Sequence, residues 1–338
     1  MSNRSGWNRR EFVGAAALAG TGALLGLRPE SAAAEPPPET TRLRLIRLPT
    51  VCVAPEYVAE ELLKAEGFAD VQYVKVESTA AKVKALIAGE ADITLFFAAP
   101  TIVHIDAGNP VVALAGVHVG CLEVFGTARI RTIRDLKGRA IAISAAGSTE
   151  QIFLSSMLAY VGVDPRSEVR WVFHPPATAM QLLADGAIDG LLALPPASQE
   201  LRARNIGHVV VNSSTDRPWS QYFCCMAIGH RDFVQRHPVA TKRALRAILK
   251  ATDLCALQPE LAARSIVDKG FTPSYDYALQ ALRDIPYGKW RESDPVDTMR
   301  FYALRLHDAG MIRSSPQKIM AQGTDWRFWR ELRKELKA

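Results

Sequence analysis

The chain has 338 residues, a formal net charge of +6 and five cysteines, and close to half of its residues are hydrophobic. That length supports one large core or two lobes of ordinary domain size. Lys and Arg are spread along the chain, except in a C-terminal stretch where acidic residues intervene, so no concentrated nucleic-acid-binding face is present. An odd cysteine count without a Cys-x-x-Cys pair excludes a disulfide framework.

The N-terminus carries Asn8-Arg9-Arg10-Glu11-Phe12-Val13, which has the form of a twin-arginine export signal. The apolar run behind it, Phe12 to Leu27, is diluted by glycines and falls short of the ~20 strongly apolar residues of a membrane span. Ala32-Ala33-Ala34 followed by Pro36-Pro37-Pro38 suits a cleavage site and spacer. Residues 1–34 are therefore expected to be a signal peptide, with retention as an anchor the alternative. Four arginines against Glu11 and Glu30 give that segment +2, leaving about +4 on the mature chain. An export signal places the mature protein in the periplasm.

Short β-rich runs then alternate with helical runs. Arg42 to Leu48 reads as a strand, and Pro55 opens a helix through Lys64. Val71 to Val76 is a second strand, Thr79 to Ala88 a helix stopped by Gly89, and Ile93 to Phe97 a third strand. Thr101 to Asp106 forms a short helix, and the strands Val111 to Val117 and Leu122 to Phe125 complete this half. This alternation predicts a mostly parallel sheet with helices on its faces.

The pattern restarts after Asp135-Leu136-Lys137-Gly138. Ala140 to Ile143 is a strand, Gly147-Ser148-Thr149-Glu150 leads a helix to Val161, and Val169 to Phe173 is the next strand. Ala179 to Ala184 is a helix, followed by the strands Ile188 to Ala193 and His208 to Val211. An internal echo links the two halves. Both Gly89-Glu90-Ala91-Asp92 and Gly186-Ala187-Ile188-Asp189 place glycine three residues before aspartate, then an apolar strand, then a proline at Pro100 or Pro196. The glycines are expected to end helices in the left-handed conformation, and the aspartates to pin strand starts by accepting backbone N–H bonds. From Phe233 onward the chain is helical: Pro238 to Leu257, Glu260 to Lys269, Tyr275 to Asp284, Val296 to Ala309 and Trp326 to Lys337.

Lys84-Ala85-Leu86-Ile87-Ala88-Gly89-Glu90-Ala91-Asp92-Ile93, Asp135-Leu136-Lys137-Gly138-Arg139-Ala140-Ile141-Ala142 and Ala184-Asp185-Gly186-Ala187-Ile188-Asp189, with their spacing, resemble the nitrate/sulfonate/taurine group of ABC-transporter substrate-binding proteins. That group shares its fold with the thiamine-pyrimidine synthases. The resemblance implies an α/β, two-lobed periplasmic-binding-protein type II fold with C-terminal helices packed on lobe 1, and a ligand closed between the lobes. Lobe 1 is expected at 35–126 plus 218–338 and lobe 2 at 127–217. It further implies a non-enzymatic, monomeric binder that passes a small organic, anionic or planar molecule to an ABC permease in the inner membrane. The alternative is a pyrimidine-synthase-like enzyme, which would need a pyridoxal-type cofactor and a catalytic histidine, or a binder of pyrimidine precursors.

Physical chemistry suggests the site independently. In open α/β sheets ligands bind beyond the carboxyl ends of strands, near helix N-termini. This rule selects Thr50 and Val51 after the first strand, Ala98 and Ala99 after the third, and Gly147, Ser148 and Thr149 after the first strand of the second half. The last loop is the anion candidate, since glycine allows close approach and the hydroxyls add donors. Glu123 is a carboxylate in an apolar run, whose burial would shift its pKa. Trp219 and Tyr222 lie where the chain should return between lobes, and their rings could stack on a planar ligand. His104, His118, Cys121 and His174 show no zinc spacing, and no Gly-x-Ser-x-Gly elbow occurs. No cofactor or metal site is therefore expected. Cys52, Cys121, Cys224, Cys225 and Cys255 read mostly as small buried hydrophobes.

Overall fold

The computed structural model describes residues 35–337; the twin-arginine leader and cleavage site expected from the sequence lie outside the described residues. In chain order, β1 (Arg42–Arg47), α1 (Ala54–Val58), α2 (Glu60–Ala65), β2 (Asp70–Lys75), α3 (Thr79–Ile87), β3 (Ile93–Phe97), α4 (Ala98–Asp106) and β4 (Val111–Val119) make the first half. The second half holds β5 (Glu123–Gly126), β6 (Ala140–Ile143), α5 (Thr149–Tyr160), β7 (Arg170–Phe173), α6 (Pro176–Ala184), β8 (Gly190–Ala193), α7 (Ala197–Ala203) and β9 (His208–Asn212). The chain returns through β10 (Phe223–His230) into α8 (Arg231–Arg236), α9 (Pro238–Leu257) and α10 (Pro259–Asp268). It closes with α11 (Tyr275–Asp284), α12 (Pro295–Asp308), α13 (Pro316–Gly323) and α14 (Arg327–Glu335).

Two sheets of matching design result. In the first half β2 pairs parallel with β1, and β10 lies antiparallel between β3 and β4. Asp92 joins these groups: its N–H donates to the Arg44 carbonyl, while its Oδ2 accepts the Arg44 N–H at 2.8 Å. The spatial order is thus β2-β1-β3-β10-β4. The second sheet runs β7-β6-β8-β5-β9, with β5 antiparallel to β8 and β9. Each sheet therefore receives one antiparallel strand from the segment crossing between the halves.

The echoed corners are equivalent in space. Asp189 Oδ2 accepts the Ala140 N–H at 3.0 Å, and its own N–H donates to the Ala140 carbonyl, as Asp92 does with Arg44. Each aspartate ties a neighbouring parallel strand, β1 or β6, rather than only capping its own. Gly89 (φ +70°) and Gly186 (φ +69°) make the turns before them in the left-handed region, which glycine enters without a Cβ clash.

One strand is placed differently from the sequence reading. Leu122 to Phe125 reads as the last strand of the first half, yet Glu123–Gly126 lies in the second sheet. A short apolar run has the same periodicity in either sheet, and its partners are set by the direction in which the chain crosses. That crossing is tight. A Cβ on Gly120 (φ +56°) would meet the Ser214 Cα at 2.3 Å. Ser213 fastens the two crossing segments together: its Oγ accepts the N–H groups of Cys121 (3.1 Å) and Leu122 (2.8 Å) and donates to the Leu122 carbonyl (2.8 Å).

The C-terminal helices pack back on the first half: α9 lies on α1 and α2, α14 on α9 and β4, and α12 on α4. Helix α12 also touches α5 of the second half. The Phe153 ring meets Phe97 edge-on at 5.9 Å and Tyr302 at 5.4 Å, so apolar packing joins the lobes there. Among the described residues no helix is long and apolar enough to cross a membrane.

Candidate functional site

A cavity of about 310 Å³ lies between the two sheets. Its wall is built at the carboxyl ends of parallel strands from both halves, as the general rule for open α/β sheets requires. Leu48, Pro49 and Thr50 follow β1, Glu77, Ser78 and Thr79 follow β2, and Phe97 ends β3. From the second half come Ile143 and Ser144 after β6, His174 and Pro176 after β7, and the run Leu191 to Ala197 along and beyond β8. Met180 of α6 and Leu201 of α7 complete the apolar surface. Thr50 Oγ1 donates to the Pro195 carbonyl at 3.0 Å, a direct bond between the halves beside the cavity.

The first-half wall is held by a buried carboxylate. Glu56 and Lys82 have side chains 0% and 1% exposed, with Lys82 Nζ 3.2 Å from Glu56 Oε2. Glu56 also accepts the Ile46 N–H (3.0 Å), the Leu95 N–H (3.1 Å) and the Thr94 hydroxyl (2.8 Å). One charge therefore fixes β1 and β3 just upstream of the loops that face the cavity. Its satisfied lone pairs are what make burial of that charge tolerable.

A second link between the halves runs through Arg202 of α7. Its guanidinium donates to Glu123 Oε1 at 2.7 Å and pairs with Asp284 of α11, to which Gln199 Nε2 also donates at 3.1 Å. Burial pushes the Glu123 carboxyl up to about 7, against the pull of Arg202 and with the added repulsion of Asp284.

Of the residues singled out in the sequence, Thr50 lines the cavity. Val51, Ala98 and Ala99 are fully buried one layer behind it, because the chain turns into α1 and α4 with those side chains facing the core. Glu123 lies off the wall, held by Arg202. Gly147, Ser148 and Thr149 are also off the wall, although neighbouring Ser144 and Glu150 are on it. Two polar groups of this loop are engaged in starting α5. Gly147 N–H donates to Gln151 Oε1 at 2.6 Å, and Ser148 Oγ caps α5 by accepting the Gln151 N–H. Glu150, which accepts the Ser144 hydroxyl at 3.2 Å, adds negative charge where an anion was expected. Trp219 and Tyr222 are drawn into an aromatic cluster away from the cavity. Trp219 meets Tyr160 edge-on at 5.2 Å, and Tyr222 stacks on Phe301 at 4.0 Å. Phe301 comes from α12, nearly eighty residues further along, so periodicity around 219–222 carries no sign of it.

The residues that sequence reasoning left out were within reach of its own rule. Glu77 to Thr79 follow β2 and His174 follows β7, both carboxyl ends of strands. Pro195 and Pro196 occupy, in the second half, the position that the echo assigns to the loop ending at Pro100. Among the described residues no group of three or more His, Cys, Asp or Glu side chains is placed to hold a metal ion.

The profile of the NMT1-like family matches residues 36–267, well over half of the sequence. The chain belongs to the NMT1-like family. Over 302 residues it is 24% identical to the nitrate/nitrite binding protein NrtA of Nostoc, covering 81% of this chain and 68% of that protein. Over 228 residues it is 26% identical to the taurine-binding periplasmic protein of Escherichia coli, covering 64% and 70%. The crystal structure of the periplasmic nitrate-binding protein NrtA from Synechocystis superposes with a TM-score of 0.72 at 16% identity, over 89% of this chain and 90% of that one. The alkanesulfonate-binding protein SsuA from Xanthomonas axonopodis gives 0.68 at 16% identity, over 87% and 100%. The two-lobed periplasmic-binding-protein fold expected from the sequence is therefore the fold of this family member.

Proposed function

We propose that the mature chain is the solute-binding component of an ABC importer, exported by the twin-arginine route and acting as a monomer in the periplasm. Its two lobes close on a small, largely apolar organic molecule and present the closed form to a permease in the inner membrane. The observation that carries this reading is the cavity between two sheets of matching strand order, joined by two crossing segments and contacted by loops from both. Ligand-stabilised closure is a population shift driven by differential affinity for the closed state. In this reading the lobes divide near Leu122 and between Ser213 and Phe223.

The ligand class follows from the wall. Nitrate, taurine and alkanesulfonate are what the relatives are named for. Here the lining contains neither lysine nor arginine, while Glu77 and Glu150 carry negative charge, which disfavours an anion. Apolar side chains surround Thr50, Ser144 and His174, so a neutral or amine-bearing molecule with an apolar body fits better.

A thermal-shift screen of the purified mature chain, followed by calorimetry and mass analysis of the released ligand, tests both parts. A true ligand should raise Tm as RT ln(1+[L]/Kd) prescribes, and should be recovered unchanged. Recovery of a converted product would favour the pyrimidine-synthase-like alternative. Tight binding of nitrate or an alkanesulfonate, with no neutral or amine ligand found, would overturn the ligand class while leaving the binder reading intact.

A further inference from the structure

Four of the five cysteines meet at the junction of the lobes. Cys121 lies in the first crossing segment, between β4 and β5, and Cys224 is the second residue of β10, where the second segment re-enters the first sheet. Their Sγ atoms are 2.9 Å apart, both side chains are nearly fully buried, and neither is bonded to another cysteine. The ladder between β4 and β10 shifts register at this point, between Phe223 and Cys225, which leaves Cys224 as the extra residue of a bulge. Two sulfurs in this position are closer than ordinary non-bonded contact and within reach of a covalent bond without a change of fold.

Cys225 is the cross-strand neighbour of His118. The His118 ring is fully buried, with Nδ1 2.9 Å from the Gly120 carbonyl and Nε2 2.9 Å from the Cys52 carbonyl. A carbonyl accepts but cannot donate, so satisfying both contacts requires a proton on each ring nitrogen, that is, an imidazolium. Its buried positive charge needs a partner. Burial alone would raise the Cys225 thiol, but hydrogen bonds from Cys121, Cys224 and Cys52 and the charge of His118 bring it well below the ordinary thiol range. Burial instead holds Cys121 and Cys224 well above it.

We propose that Cys121 and Cys224 form a reversible disulfide that staples the two interlobe segments together, with Cys225 as the adjacent proton acceptor. The oxidant is a small-molecule disulfide of the glutathione type. A proton passes from Cys224 to the Cys225 thiolate as the Cys224 sulfur attacks the small disulfide; the thiolate expelled takes that proton back from Cys225 and leaves as a thiol, which restores the Cys225 thiolate for the second step. Cys121 then displaces the second thiol from the mixed disulfide. Two electrons and two protons leave the cysteine pair in total, and the oxidant departs as two thiols. The bond closes a loop containing β5 to β9, the whole second sheet. Bending between the lobes then has to take place beyond the staple, along Leu122–Glu123 and Ser213–Tyr222. This geometry stands whether or not the ligand class argued above is right.

The test equilibrates the purified mature protein with oxidised or reduced glutathione, then denatures it, alkylates free thiols and maps the peptides by mass. Reduced protein should take up label at five thiols, and oxidised protein at three, with a mass lower by about 2 Da before alkylation and a cross-linked Cys121–Cys224 peptide after it. Cys225→Ser should slow oxidation at least tenfold yet give the same linked peptide. Cys255→Ser, which removes the cysteine outside the cluster, should change neither rate nor product. Five labelled thiols after oxidation, or a bond mapped to Cys224–Cys225 or to Cys52, would overturn the proposal. Because the decisive map uses the wild-type protein, it does not depend on any variant folding.

Discussion

Replacing Lys82 by methionine removes an ammonium 3.2 Å from Glu56 Oε2 and leaves a carboxylate that is 0% exposed without its counter-charge. Breaking a buried ion pair from one side costs about 3–5 kcal/mol. Glu56 keeps the Ile46 and Leu95 N–H groups and the Thr94 hydroxyl, so the lower end applies, about 3 kcal/mol. For a unit of this size that corresponds to a fall in Tm on the order of 6 °C. Urea unfolding followed by circular dichroism measures the free energy, and a thermal scan gives the shift. The double variant Glu56→Gln, Lys82→Met removes both charges at nearly constant volume but turns the new amide NH2 towards either the Ile46 or the Leu95 N–H, so it should recover only part of the loss, to within about 2 kcal/mol of wild type. A Lys82→Met protein within about 1 kcal/mol of wild type would refute the reasoning, since the pair would then contribute little to fixing β1 and β3. So would a double variant as unstable as the single one, because shape rather than charge would then be responsible. Ligand affinity adds a functional readout: loosening both strands should weaken binding, as their carboxyl ends form one wall of the cavity.

Four other outcomes follow from the same geometry. The Glu123 carboxyl is pushed up to about 7 in the folded state, above its unfolded value of about 4.3. The folded protein then holds a proton that the unfolded chain has lost, so this group's contribution to stability should fall as pH rises from about 4.3 to 7, by at most about 4 kcal/mol, and level off above. Urea titrations at pH 5 and pH 8 should show a smaller difference in Glu123→Gln than in wild type; an equal difference would remove Glu123 as its source. Thr50→Val deletes the bond to the Pro195 carbonyl and should weaken ligand binding by about 1 kcal/mol, or about fivefold in Kd by calorimetry. Trp219→Ala should lower stability by about 3 kcal/mol through loss of the aromatic cluster, yet leave the affinity of the best ligand within about twofold; a larger loss of affinity would return Trp219 to the site. Ser213→Ala strands the N–H groups of Cys121 and Leu122 and should cost about 1–3 kcal/mol in urea unfolding.

Much of this protein is legible in its sequence, because the relevant signals are local. Ile93–Phe97, Ala140–Ile143, Pro238–Leu257 and Tyr275–Asp284 fall where apolar periodicity and helix-stopping residues put them. The Gly-x-x-Asp echo found two equivalent corners, since a left-handed glycine and a strand-pinning carboxylate each act within a few residues. The rule that ligands sit beyond strand ends located both sides of the cavity and placed Thr50 on its wall. Tertiary structure decided the rest. Glu123–Gly126 joined the second sheet because the chain crosses between lobes just before it, and no run of four apolar residues encodes its partners. Trp219 and Tyr222 lie off the cavity wall because Phe301, distant in sequence, offers them an apolar face with no polar group to satisfy. Glu123 found Arg202, and Glu56 found Lys82, because a buried charge is stable only beside a partner that folding brings to it. Periodicity fixes which face of an element is buried; which long-range neighbour meets that face, and so which residues line a cavity, is determined when the two sheets close on each other.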